Sequence, residues 1–263
     1  VTTTTSRDDL GRVVEVPDRV SRVVSLVPSL TEAVAASASG LLVGATDWCT
    51  HPADLGVPRV RGTKNPDLTR IADLAPDLVV ANKEENRRID VERLTGMGIP
   101  VWVTDPHTVP TALDSLSRLL VYALRLAGEP QWLLRARQAW RHPVPRTRLR
   151  VAALIWRDPW MAIGPDTFAD DLLRRLGAAN VFTEADGTSR YPRTSPDDIV
   201  ARQPDIVLLP DEPYAFTDTD GPEALPGLRC RMVSGRLLTW YGPSLVQARH
   251  LLDEHGPDVQ TPA

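Results

Sequence analysis

Lysine is nearly absent from the sequence: Lys64 and Lys83 are the only two, and arginine supplies the remaining basic residues. With the abundance of Ala, Pro and Arg, this bias points to a GC-rich coding sequence rather than to a function. Cysteine is limited to Cys49 and Cys230, too few for a disulfide framework. A bond between them would need Cα atoms within about 7 Å, so two free thiols are expected. No apolar run approaches the ~20 residues of a membrane span. There is no basic tract and no interleaving of basic and aromatic residues, and the net charge is −4, which excludes nucleic acid as a partner on composition. A Gly-rich phosphate loop, a nucleophile elbow and an HExxH pair are all missing. Residues 1–6 show neither a charged n-region nor an apolar h-region. Two localisations stay open: extracytoplasmic if a signal has been removed, cytoplasmic if Val1 is the native start.

What is present is an ordinary globular balance, 42% hydrophobic and 24% charged over 263 residues. Aromatics are only 5%, yet seven are Trp against four Tyr and three Phe, so the tryptophans merit tracking. Short β-branched runs alternate with helical patterns, the signature of parallel βαβ units. Strands are expected at residues 23–27, 42–45, 78–81 and 101–104, and helices at 68–74, 91–97, 111–127 and 131–141. Pro28-Ser29-Leu30-Thr31-Glu32 reads as a helix start with Ser29 as N-cap and Glu32 completing a capping box. The scheme then restarts with strands at 151–155 and 206–209 and helices at 168–176, 196–202 and 244–254.

The restart has a constant register. Strands 23–27 and 151–155 lie 128 positions apart, as do Ile71 and Ile199, and Pro76-Asp77-Leu78-Val79 and Pro204-Asp205-Ile206-Val207. The expected fold is therefore α/β, with two Rossmann-like parallel-sheet lobes joined by a helical backbone. The N-terminal lobe spans 1–108, the connecting helical segment 109–148 and the C-terminal lobe 149–263. Ligands of open parallel sheets bind beyond the carboxyl ends of the strands, so a small ligand is expected in a cleft between the lobes.

Asp8-Asp9-Leu10-Gly11-Arg12, Arg22-Val23-Val24-Ser25-Leu26-Val27-Pro28-Ser29-Leu30-Thr31-Glu32, Gly44, Asn65-Pro66-Asp67-Leu68, Gly98-Ile99-Pro100-Val101 and Gly242-Pro243-Ser244 follow in order along the chain. With the two Pro-Asp segments, this series resembles the substrate-binding proteins of the vitamin B12 and iron-siderophore ABC importers over roughly the whole length. The resemblance implies two lobes on a rigid helical backbone, small opening motions, and a shallow cleft for a metal chelate or corrinoid. The ligand class it implies is cobalamin, haem or a ferric siderophore, bound without chemistry by a monomer that holds no covalent cofactor. An ABC permease would be the partner. The family's two docking glutamates align with Thr69 and Asp197, and only Asp197 is acidic. Positions where B12-binding members place aromatic rings fall near Thr63, Asn82 and Tyr191. The connecting helix looks short, because Pro143 and Pro145 should stop it after Arg141.

Candidate contacts sit on the strand-end loops. Trp48 offers a flat apolar face, while Cys49 and His51 are weak candidates for a metal and make a zinc site no more than a marginal reading. The resemblance places Lys64, Asn82 and Lys83 at the cleft mouth, where an ammonium would pair with an anionic ligand group. Trp156, Arg157 and Trp160 follow a strand directly and suit stacking with anion pairing. Tyr191, Tyr214, Trp240 and Tyr241 complete the set, the last two ahead of a Gly242-Pro243 turn into a helix whose N-terminus favours an anion. Arg157 with Lys64 suggests an acidic ligand. Two other classes compete. One is a cytoplasmic sensor or carrier with a repurposed fold. The other is a chelatase-like enzyme using His51 or His107 with Glu84 or Glu85, which no spacing supports.

Overall fold

The computed structural model describes residues 2–142, 149–183 and 189–253. In it the chain divides into two lobes, the described parts of 1–106, 111–137 and 241–243 in one, and of 107–110, 138–240 and 244–263 in the other.

The first lobe opens with an antiparallel hairpin, β1 (Thr3–Arg7) and β2 (Val13–Pro17), running from Thr3 opposite Pro17 to Arg7 opposite Val13. Its turn is the Asp8-Asp9-Leu10-Gly11-Arg12 motif. Asp8 is buried and accepts from the Leu10 and Arg12 amides and from the Arg12 guanidinium (2.7 Å). Gly11 supplies the left-handed backbone (φ 73°) that the turn requires. Asp9 reaches outward and accepts from the Asp105 amide (2.9 Å), the Ser115 hydroxyl (2.5 Å) and the Arg118 guanidinium (2.6 Å). The motif thus ties the hairpin to the sheet and to the first connecting helix, which is a structural role.

The sheet follows from β3 (Val23–Ser25), α1 (Pro28–Ala38), β4 (Leu42–Ala45), the small hairpin β5 (Arg61–Gly62) and β6 (Asn65–Pro66), α2 (Leu68–Asp73), β7 (Leu78–Asn82), α3 (Arg88–Gly96) and β8 (Val101–Thr104). Its order is β4-β3-β7-β8, all parallel. Every residue of β7 and β8 is buried, as expected of parallel strands covered on both faces, and this is why they read as continuous apolar runs. Val24, Leu26, Ile71, Val79, Leu94 and Val101 form the core. α4 (Val109–Ser117) and α5 (Gln131–Ala139) complete the helical part. Arg137 on α5 bridges Glu129 and Asp114 at 2.9 Å each.

The second lobe holds β9 (Arg150–Trp156), β10 (Met161–Ala162), α6 (Phe168–Arg175), β11 (Ala179–Asn180), α7 (Pro196–Ala201), β12 (Ile206–Pro210), β13 (Cys230–Val233), α8 (Gly235–Thr239) and α9 (Leu245–Ala248). β11, β9, β12 and β13 are parallel neighbours in that order, and β10 adds antiparallel to the carboxyl half of β9.

The 128-residue register is a physical identity. β3 faces β7 with Val23 opposite Leu78 and Val24 opposite Val79, and β9 faces β12 with Val151 opposite Ile206 and Ala152 opposite Val207. α2 and α7 begin 128 positions apart on side-chain caps, Asp67 to the Arg70 amide and Ser195 to the Asp198 amide. Ahead of each first strand the same clasp closes. The Arg22 amide donates to Asp77 (2.9 Å) and its guanidinium to the Leu74 and Ala75 carbonyls; the Arg150 amide donates to Asp205 (2.7 Å) and its guanidinium to the Arg202 and Gln203 carbonyls.

Three element expectations need correction. Ser29 is not an N-cap: α1 starts at Pro28, whose fixed φ and missing N–H suit the first helical position, after an extended Val27 with no side-chain cap. The helix expected at 111–127 starts at Val109 and gives way to a π-helical turn over Arg118–Ala123. The helix expected at 244–254 is only Leu245–Ala248 among the described residues. Pro143 and Pro145 lie outside the described residues.

Candidate functional site

In the first lobe, the carboxyl ends of β4, β7 and β3 are joined by side-chain bonds that leave one ring outside. Beyond β4, Arg59 donates to the Thr46 and Cys49 carbonyls (3.1 and 2.9 Å) and curls the loop back. Cys49 is fully buried, with the Thr31 and Thr46 hydroxyls 3.0 and 3.1 Å from its sulfur. Burial pushes its thiol pKa up, so the side chain is a core group rather than a metal ligand. His51 Nδ1 meets the neighbouring Thr50 hydroxyl at 3.1 Å. Trp48 is the large apolar side chain that stands out from this loop, 65% exposed. Its indole lies on the backbone of Gly62, where an added Cβ would come within 3.3 Å of Nε1.

Asn82, at the end of β7, is 4% exposed and its amide is committed within the protein. It donates to the Thr104 carbonyl (3.0 Å) and accepts from the Glu84 and Glu85 amides (2.8 and 3.1 Å). Asn86 completes the lock by accepting from the Asn82 amide and donating to the Leu26 and Thr63 carbonyls. The pair shapes the loop that presents Lys83, Glu84 and Glu85. Lys83 bridges Asp105 at 2.6 Å, and the Lys64 ammonium donates to the Glu84 carbonyl. Glu85 keeps exposed surface, yet the surrounding protein raises its carboxyl above the usual range against the pull of Lys64.

In the second lobe, the carboxyl end of β9 carries an aromatic cluster. Trp156, 40% exposed, meets Tyr214 edge to face at 5.6 Å between centroids; Tyr214 touches Phe216 at 4.7 Å, and Phe216 stacks on Trp160 at 6.0 Å. Asp158 takes a left-handed backbone (φ 60°), a conformation Asp tolerates better than most residues. The Arg157 guanidinium lies 5.1 Å over the Trp160 ring and pairs with both Asp220 and Glu223. The Tyr214 hydroxyl donates to Asp220 at 2.7 Å, which holds that phenol protonated above its usual range. The arrangement presents a partly exposed ring face beside a fixed set of charges, suited to stacking against a flat ligand.

Of the remaining candidates, Tyr241 joins the Asn82–Thr104 group. Tyr191 is half-buried on the loop before α7. Trp240 and Tyr241 are each only 7% exposed; Tyr241 meets the Thr104 hydroxyl at 3.2 Å, and its own hydroxyl is driven above its usual range chiefly by burial. α9, with four residues, offers no helix N-terminus for an anion. Thr69 and Asp197 are both exposed and take the same position on α2 and α7. His107 pairs through Nδ1 with Asp166 at 2.9 Å. Among the described residues no group of three or more His, Cys, Asp or Glu is placed to hold a metal ion, and no helix is long and apolar enough to cross a membrane.

Sequence reasoning missed Asn86, Phe216, Asp220 and Glu223. Asp220-Gly221-Pro222 announced a turn, but nothing in the sequence connected that turn to Arg157, 63 residues earlier.

Comparison with known proteins follows the same lines. No protein family profile matches the chain. The vitamin B12-binding protein of Pectobacterium carotovorum is 27% identical over 204 residues, 73% of this chain and 72% of that protein. The periplasmic vitamin B12-binding protein BtuF of Vibrio cholerae superposes with a TM-score of 0.71 at 20% identity, over 89% of this chain and 95% of that one. The periplasmic haem-binding protein BhuT, solved with two haems, gives 0.71 at 25% identity over 87% and 94%. The fold is that of the two-lobed, helical-backbone substrate-binding proteins, and these relatives are binding proteins rather than enzymes.

Proposed function

We propose that this chain binds a small metal chelate of the corrinoid, haem or ferric-siderophore class without acting on it chemically, and passes it to an ABC permease. The observation that carries the reading is the aromatic cluster of Trp156, Tyr214, Phe216 and Trp160 at the carboxyl end of β9, with Trp48 exposed at the carboxyl end of β4 in the first lobe. Rings with a free face, fixed by their neighbours, gain apolar contact with a planar ligand at little ordering cost. Likeness to B12-binding and haem-binding proteins supports the same ligand class. For delivery, Asp197 supplies an exposed acid on α7, while Thr69 gives the matching place on α2 no charge. A permease contact would therefore rest on one acidic point.

The test is a titration of the purified chain with cyanocobalamin, haemin and a ferric siderophore, following Trp fluorescence. Saturable quenching at micromolar or tighter affinity by at least one of them is expected, and weakened by Trp156→Ala. No response to any of the three would sink the proposal.

A further inference from the structure

The cations expected to meet an acidic ligand are engaged inside the protein. Lys64 donates to a backbone carbonyl, Lys83 bridges Asp105, and Arg157 is held by two acids. Around Arg157 the charges do not cancel: one guanidinium faces Asp220 and Glu223, leaving an excess negative charge beside Trp156 and Tyr214. Each acid is also fixed from behind. Asp220 Oδ2 accepts from the Tyr214 hydroxyl (2.7 Å), and Glu223 Oε2 accepts from the Gly221 amide (2.5 Å). Thr217 and Asp220 exchange backbone hydrogen bonds of 3.1 and 3.2 Å, closing the turn that carries Asp220, and Glu223 follows in a single 3-10 turn over Pro222–Ala224. Gly221 has φ 132°, and a Cβ there would come within 2.9 Å of Phe216 and 3.1 Å of Leu209, so only glycine lets this turn lie on the aromatic cluster. The amide of Gly221, and then Arg157, hold the Glu223 carboxyl below its usual range, which keeps it ionised at neutral pH.

We propose that Arg157, Asp220 and Glu223 form a charge filter that admits a ring rimmed by uncharged amides and turns away a ring rimmed by free carboxylates. The inference rests on the metal-chelate reading above and narrows it. A ligand carboxylate approaching Trp156 meets the excess negative charge, and it reaches Arg157 only by displacing an acid already paired there. A carboxamide has N–H groups to donate to the second lone pairs of the same carboxylates, whose side chains are 41% and 47% exposed.

Two chelates with the same ring and metal separate the cases: iron mesoporphyrin, which carries two carboxylates, and its diamide, each titrated by Trp quenching with cyanocobalamin alongside. The wild-type chain should bind the diamide at least about tenfold tighter than the diacid. The double variant Asp220→Asn, Glu223→Gln should shrink that ratio below about threefold by tightening diacid binding, and added salt should weaken the gained affinity. Arg157→Gln, which leaves both acids in place, should widen the ratio, and it serves as the second variant should the double one fail to fold. Equal affinities in the wild-type chain, or a ratio unmoved by either variant, would overturn the filter while leaving the metal-chelate reading intact. Binding of none of the three probes would overturn the filter, and the metal-chelate reading falls with it when the ferric siderophore also gives no response.

Discussion

At the scale of single residues, burial separates side chains that shape the loops from those that remain available to a ligand. Trp48 follows β4 and Asn82 ends β7 in the same lobe, but 65% of one is exposed and 4% of the other. Trp48→Ala should change stability by no more than about 0.5 kcal/mol while weakening ligand binding. Asn82→Ala removes the acceptor for two loop amides and a donor to Thr104, and should cost about 2 kcal/mol; urea unfolding reads both. Cys49 gives a pH prediction. Its thiol titrates at 9.0 in an unfolded reference and higher when buried, so the unfolded chain loses its proton first. The stabilising contribution is complete below about pH 9 and is lost as pH rises beyond it. Native Cys49 should resist iodoacetamide, and Cys49→Ala should flatten the alkaline fall in melting temperature. The sequence offered both Trp48 and Asn82 as candidate contacts because exposure depends on partners such as Asn86 and Gly62, which no local pattern announces.

At the scale of elements, the two clasps offer paired experiments. Asp77→Asn and Asp205→Asn each weaken the same hydrogen bonds to a strand start, Arg22 in one lobe and Arg150 in the other. Each should cost about 1 kcal/mol. The costs should add in the double variant because the two clasps share no partner. α5 gives an acid-side counterpart. Glu129 is partly buried, which raises its carboxyl, but Arg137 and Ser117 outweigh that and hold it below 4.5. Its contribution is present above that value and is lost as pH falls through the folded pKa, so Glu129→Gln should destabilise at pH 7 and converge with the wild type as the medium is acidified below the folded pKa, read in thermal melts across a pH series. Strands were the most legible elements, because runs such as 78–81 and 101–104 are buried on both faces. Helix ends were less so. Pro28 displaced the Ser29 cap, and the π-helical turn at Arg118–Ala123 carries no distinguishing composition.

At the scale of the whole chain, the duplicated architecture was legible as a constant offset, while the chemistry of the second lobe was not. Arg157, with Lys64, suggested an acidic ligand; Arg157, Asp220 and Glu223 converge from two distant segments, a pairing that no local pattern in the sequence announces. The lobes also distribute equal lengths differently. α1 and α6 begin 140 positions apart, whereas the strands before them and the helices α2 and α7 keep 128. The second lobe places its extra residues between β9 and α6, where Trp156 to Trp160 sit; the first places them after β4, in the segment that bears Trp48 and the β5–β6 hairpin. The extra length in one lobe is thus matched by extra length at another point of the other. The clasps therefore act as fixed bookends: segments 23–77 and 151–205 are equal in length, so each lobe absorbs its own long loop without moving the strand starts that the clasps hold.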